Sequence, residues 1–194
     1  MKKIIMVLIM SVMLVGCSSG KPTETKEEEN TPVNLPTTLQ FNGQEISFAK
    51  GLTIADFSEY KIKKIVPPAA VKKDAKTITF SYYFDIDGSI LEAGFKTKYY
   101  GSSSIPKETE EVQETGELHY YSFKLEDLQQ GVAIYNGVDI KDINEDILKE
   151  WGWKPSNETL ARDSFEFDKG SIDVLYKEGT RDFKTVTFYP KSDK

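Results

Sequence analysis

Apolar and polar residues alternate with a period of two along much of the chain. Thr77 to Phe84 is the cleanest stretch: Ile78, Phe80, Tyr82 and Phe84 fall on one side, and Thr77, Thr79 and Ser81 on the other. Such alternation predicts a half-buried strand, because successive strand side chains point to opposite faces. Asp85-Ile86-Asp87-Gly88 then turns the chain, and Leu91, Ala93 and Phe95 line a second strand that runs to about Tyr100. Leu118 to Leu125 reads as another, with Tyr121, Phe123 and Leu125 together. Three strands close the chain: Ser164 to Asp168, Ser171 to Tyr176 and Lys184 to Tyr189. Their inward sets are Phe165 and Phe167; Ile172, Val174 and Tyr176; and Val186 and Phe188.

Asn-Gly pairs punctuate the pattern twice. Thr38 to Phe48 is a hairpin around Asn42-Gly43, and Val132 to Ile140 is a hairpin around Asn136-Gly137. Asn-Gly supplies the positive φ angles of a tight hairpin turn. A short helix is expected after each. Thr53, with Asp56 three residues on, caps one that reaches about Tyr60, and Asp142, with Glu145 three residues on, caps the other. The second helix carries Ile143, Ile147, Leu148 and Trp151 as an apolar stripe and stops at Gly152. Pro67-Pro68 interrupts any regular element, and residues 101–117, rich in Ser, Pro and Glu, read as a loop or interdomain segment.

The fold class that follows is α+β: an antiparallel, β-rich domain of two hairpin–short helix–strands units, 37–117 and 118–194. The hairpins themselves match: Phe41-Asn42-Gly43-Gln44-Glu45-Ile46 against Tyr135-Asn136-Gly137-Val138-Asp139-Ile140. A tandem repeat and a chance recurrence of hairpin chemistry both account for so short a match.

The N-terminus follows a different pattern. Lys2 and Lys3 precede Ile4 to Val15, an apolar run of 12 residues, which is too short for the roughly 20 that cross a bilayer. A basic start, a short apolar run and small residues make a secretory signal. Leu14-Val15-Gly16-Cys17 ends it on the only cysteine in the chain. On these residues the start resembles the bacterial lipoprotein precursors. The resemblance implies cleavage of 1–16 and lipidation of Cys17, by a diacylglyceryl group on sulfur and an acyl group on the new N-terminus. It places the protein on the outer face of the cell membrane. Residues 17–36, with Glu27-Glu28-Glu29, Pro22, Pro32 and Pro36, read as a disordered tether. All four methionines lie within the signal.

The stretch Asn136 to Tyr189 carries Asn136-Gly137-Val138, the Asp142 to Gly152 helix and then strands with Gly turns. It resembles the helix-then-three-strand unit of the small β-barrel-assembly lipoproteins and of β-lactamase-inhibitor-like domains. It departs from them in the Trp153-Lys154-Pro155 that follows Gly152. What this implies is a binding or assembly module rather than catalysis. In its Lys, Glu, Ile and Asn usage and its signal, the chain is also similar to lipoproteins of low-GC Gram-positive bacteria.

Charge narrows the partners. The chain has 25 Lys and Arg against 31 Asp and Glu, and loss of the signal leaves 23 against 31, a net charge of −8. Phosphate-backbone binding needs clustered basic charge, so nucleic acid is not an expected partner. Lys61, Lys63 and Lys64, the densest basic cluster, read as a solvated edge or a helix end. One cysteine leaves no internal disulfide, so about 158 residues must fold on their core alone.

Candidate chemistry is sparse. The lone histidine, His119, shares a face with Tyr121 and Phe123 by simple alternation and reads as a packed or edge residue. Asp85, Asp87, Gly88 and Ile90 resemble part of a calcium loop, but Tyr83 and Gly94 stand where its end ligands belong, so a hairpin turn is expected. No metal and no cofactor beyond the Cys17 lipid is implied. Tyrosine doublets are more informative. In Tyr82-Tyr83, Tyr99-Tyr100 and Tyr120-Tyr121 one ring can fill the core while its neighbour faces out. Tyr83, Tyr100 and Tyr120, with Trp153 beyond the helix end, form the candidate binding face. The expected role is a membrane-anchored, non-catalytic module that binds an envelope protein or polymer. A carboxylate-based envelope hydrolase and a small-solute receptor are the alternatives.

Overall fold

The computed structural model, which describes residues 34–72, 74–101, 105–155 and 161–191, realises the alternation almost strand for strand. The first half runs β1 (Thr38–Phe41), β2 (Gln44–Ser47), a 3-10 turn (Ile54–Phe57), β3 (Lys61–Val66), β4 (Thr77–Ile86), β5 (Ser89–Lys98), helix α1 (Ile105–Thr115) and β6 (Glu117–Lys124). The second runs β7 (Ala133–Tyr135), β8 (Val138–Asp139), helix α2 (Glu145–Glu150), β9 (Arg162–Phe167), β10 (Gly170–Tyr176) and β11 (Phe183–Pro190). Both Asn-Gly turns form with positive φ: 50° and 80° at Asn42 and Gly43, 50° and 77° at Asn136 and Gly137.

The strands make two sheets, one of four in the order β2-β1-β7-β8 and one of seven in the order β3-β4-β5-β6-β11-β10-β9. All pairings are antiparallel. Leave out the edge strand β3 and each order reads the same outward from its centre. β1 meets β7 in the small sheet, and β6 meets β11 in the large one. Gln40 and Ile134, each just ahead of its aromatic–Asn–Gly turn, lie opposite one another. The strand order therefore repeats one plan twice, with β3 and α1 added to the first copy. The boundary expected at 117/118 falls within this arrangement, because β6 pairs with β5 on one side and β11 on the other.

The two sheets bury an aromatic layer. Phe48 sits with its ring centroid 5.8 Å from Tyr135, 6.5 Å from Phe167 and 5.8 Å from Phe188. Two tyrosine tips in this layer are satisfied across it: Tyr121 donates to the Ser47 carbonyl at 2.7 Å and Tyr135 to that of Pro36 at 2.8 Å. Phe57, on the 3-10 turn, covers the other half of the large sheet, 5.3 Å from both Phe84 and Phe95.

Several expectations change. Residues 105–115 are helix α1, not loop: its backbone carries helix, and Val112 is buried among its described side chains. Two apolar residues in eleven, Ile105 and Val112, leave little 3.6-residue periodicity to read. The helix expected after Asp142 begins later. Asp142 ends a 3-10 turn, and the cap is Asn144, whose side chain accepts from the Asp146 and Ile147 amides at 3.0 and 3.1 Å. The Lys61, Lys63 and Lys64 cluster is an edge, namely β3, where lysines discourage pairing with another chain.

Trp153, expected on the surface, is 4% exposed and meets Phe183 at 6.4 Å. Its amide bonds the Leu148 carbonyl at 2.9 Å, folding the chain back over the end of α2. Trp153→Ala should therefore cost about 3–5 kcal/mol, read as a lowered denaturant midpoint. A midpoint within error of the parent would contradict this placement.

Candidate functional site

With one face of the seven-stranded sheet committed to the core, no second sheet of the described residues packs on the opposite face. The register lines up a polar row across every strand. Lys64 lies opposite Tyr83, Tyr83 opposite Glu92, and Glu92 opposite Ser122. Ser122 lies opposite Thr187, Thr187 opposite Asp173, and Asp173 opposite Ser164. The row is internally bonded. Lys64 sits 5.8 Å from the Tyr83 ring centroid, and the Ser122 and Thr187 hydroxyls are 3.1 Å apart. Asp173, although 7% exposed, accepts from Ser164 at 2.7 Å and from Arg162.

A bulge shapes the neighbouring row. Gly94 pairs with Tyr120 but Phe95 pairs with Leu118, so the ladder skips His119. The extra residue breaks the parity on which the sequence argument relied. Leu118 and Tyr121 both point inward, at 6% and 0% exposure, while His119 joins Tyr120 on the outer side, away from Tyr121. Tyr189 completes a cluster of three rings, 5.4 Å from His119 and 5.9 Å from Tyr120.

Tyr120 does not stand out from the sheet. It starts on β6, passes over β5 and reaches β4, where its hydroxyl lies 2.7 Å from that of Ser81. It also donates to Glu92 at 3.3 Å. The residue it crosses is Gly94, where a Cβ would come within 2.2 Å of the ring. Only glycine lets the ring lie down there. Burial, with a smaller contribution from Glu92, pushes the Tyr120 hydroxyl up to about 12, and the Ser81 hydrogen bond opposes them. Burial first, and then Glu92, raise Tyr83 as well. Both tyrosines stay protonated donors at neutral pH.

Two clefts flank the face where β5 and β6 part company. Pairing stops at Glu92 and Ser122, although β5 continues along β4 and β6 along β11. The gap is a cleft of about 550 Å³ with Phe41 and Phe123 at its floor and Tyr83, Glu92, Ile90 and Lys124 on its walls. At the other end, a cleft of about 510 Å³ is lined by Lys96, Lys98, His119, Glu111 and Glu117.

The candidate residues separate into four groups. Tyr83 and Tyr120 come together on the outer face around Glu92. Tyr100 does not join them: it follows β5, is 48% exposed and donates to Glu111 of α1 at 2.9 Å. Trp153 is core. Cys17 lies outside the described residues. Sequence reasoning missed Tyr189, whose outward position follows from the inward Val186 and Phe188 beside it. It also missed Glu92, which carries no signal beyond being polar. Asp85 and Gly88 make a hairpin turn, with the Gly88 amide on the Asp85 carboxylate at 2.9 Å. Among the described residues no group of three or more His, Cys, Asp or Glu is arranged to hold a metal, and no helix is long and apolar enough to cross a membrane. No family model, curated protein or solved structure matches the chain.

His119 supplies a test of the bulge. Burial, and secondarily Lys96, lower its imidazole from 6.5 to about 4. The folded state thus binds this proton less readily than the unfolded chain. Its contribution to stability is complete above pH 6.5 and is lost as the pH falls towards 4. Denaturation at pH 7 and pH 4.5 should show a smaller drop in His119→Gln than in the parent. Equal drops would place the imidazole in water.

Proposed function

We propose that the chain is a lipid-anchored, extracytoplasmic lipoprotein whose folded part binds an envelope protein or polymer through the outer face of the seven-stranded sheet, without catalysing a reaction. The observation that carries the anchor is Leu14-Val15-Gly16-Cys17, with the chain's one cysteine at the end of a 12-residue apolar run. A diacylglyceryl group adds two chains, and each buried methylene contributes about 0.8 kcal/mol, so two chains hold where one is marginal. Support for binding rather than chemistry comes from the face itself. The two carboxylates of its polar row are engaged: Glu92 accepts from Tyr120, and Asp173 from Arg162 and Ser164.

Two measurements test this reading. Cys17→Ala should move the protein from the membrane pellet to the soluble fraction or leave it unprocessed, and unchanged retention would refute the anchor. Full-length protein carrying Tyr83→Ala and Tyr189→Ala should capture less envelope material than the parent, while Tyr100→Ala should capture as much. Capture that survives the double change would remove the outer face from the account.

A further inference from the structure

We infer that the ligand of the outer face is an uncharged polysaccharide, its sugar rings stacked on the Tyr120–Tyr189 cluster and its hydroxyls bonded along the polar row; this rests on the reading of that face as a binding surface. Three properties of the face select this class.

Its charges are matched. Along the row Lys64 and Arg162 stand against Glu92 and Asp173, and Arg162 is bonded to Asp173; beside the row Lys61 lies opposite Asp85, Lys96 lies opposite Glu117, and Lys124 pairs with Glu126 and Asp127. A polyanion would find no surplus of positive charge here, on a chain with 31 acids to 25 bases. Apart from the Tyr120–Tyr189 cluster, the face has no apolar centre of the kind a protein interface buries. The exposed large hydrophobics among the described residues are Ile62, Ile90, Tyr100 and Leu175, at 42, 47, 48 and 38%. They do not cluster. On the outer face, Ile90 of β5 is separated from Leu175 of β10 by the two strands between them.

The remaining property is the way the rings lie. Tyr120 is pinned along the sheet over Gly94, so one ring face rests on the backbone and the other is turned away from it. The C–H groups on one side of a pyranose are electron-poor and meet the negative face of an aromatic ring favourably. Each sugar hydroxyl can both donate and accept, matching the Ser122–Thr187 pair and the Glu92 carboxylate. The row crosses seven strands at about 4.8 Å per spacing, roughly 29 Å, enough for an extended chain of several sugars.

The test uses the full-length lipidated protein in detergent micelles, titrated by calorimetry with cellohexaose, chitohexaose and mannohexaose, and with polyphosphate as the anionic comparison. At least one neutral hexamer should bind saturably, with an affinity that barely changes between low and high salt. Tyr189→Ala should weaken it at least about tenfold, as loss of a central aromatic anchor does. Tyr83→Ala, at the other end of the row from Ser164, should weaken it too. Binding unaffected by both changes, or binding of polyphosphate alone, would overturn the proposal. No hexamer binding with envelope capture still lost in the tyrosine variants would also overturn it; the binding-face reading would then stand with a protein as its ligand. Loss of neither would end both.

Discussion

An aromatic layer between two antiparallel sheets holds this fold, and it has no covalent help. The single cysteine forbids an internal crosslink, so Phe48, Tyr135, Phe188 and the rings around them must fix the sheets by packing. Tyrosine does two jobs in that layer. The rings of Tyr121 and Tyr135 fill it, while their hydroxyls reach backbone carbonyls of the opposing segments, leaving no orphaned donor at either tip. Burial drives the Tyr121 hydroxyl well above its ordinary range, and these groups stay neutral wherever the fold exists.

Committing one face of the large sheet to that layer decides the character of the other. Period-two alternation puts every second residue outside, so Tyr83, Glu92, Ser122, Thr187 and Asp173 share the outer face because Tyr82, Leu91, Phe123, Phe188 and Val174 are inside. The bulge at His119 breaks this bookkeeping in the middle of the sheet, as the shifts at Lys63 and Lys184 do elsewhere, and it concentrates rings. Two successive residues, His119 and Tyr120, turn outward next to Tyr189, while Leu118 and Tyr121 keep the core closed. Gly94 completes the device by giving Tyr120 a surface to lie on.

Much of the fold was legible in the sequence. The hairpins, the long strands and their inward sets depend on local alternation and turn chemistry. The repeated plan was visible as two hairpin–short helix–strands units; it takes the strand order to show that β6 belongs with the first copy. What could not be read depends on contacts distant in the chain. Helix α1 has only two apolar residues in eleven, Ile105 and Val112, so its composition reads as loop. Trp153 follows a helix-ending glycine, where periodicity assigns no face. Of the candidate site, Tyr83 and Tyr120 were legible from the doublets. The doublet rule failed for Tyr100 because the strand ends before it, and no local signal announces a one-residue bulge.

The claim that two faces of one sheet have separate duties is tested most directly on adjacent residues of β11. Thermal or denaturant unfolding of Phe188→Ala and Tyr189→Ala compares an inward ring with the outward ring beside it. Phe188→Ala should cost about 3–5 kcal/mol, and Tyr189→Ala no more than about 1.5 kcal/mol. Equal losses, or a larger loss at Tyr189, would contradict the division on which the whole account rests.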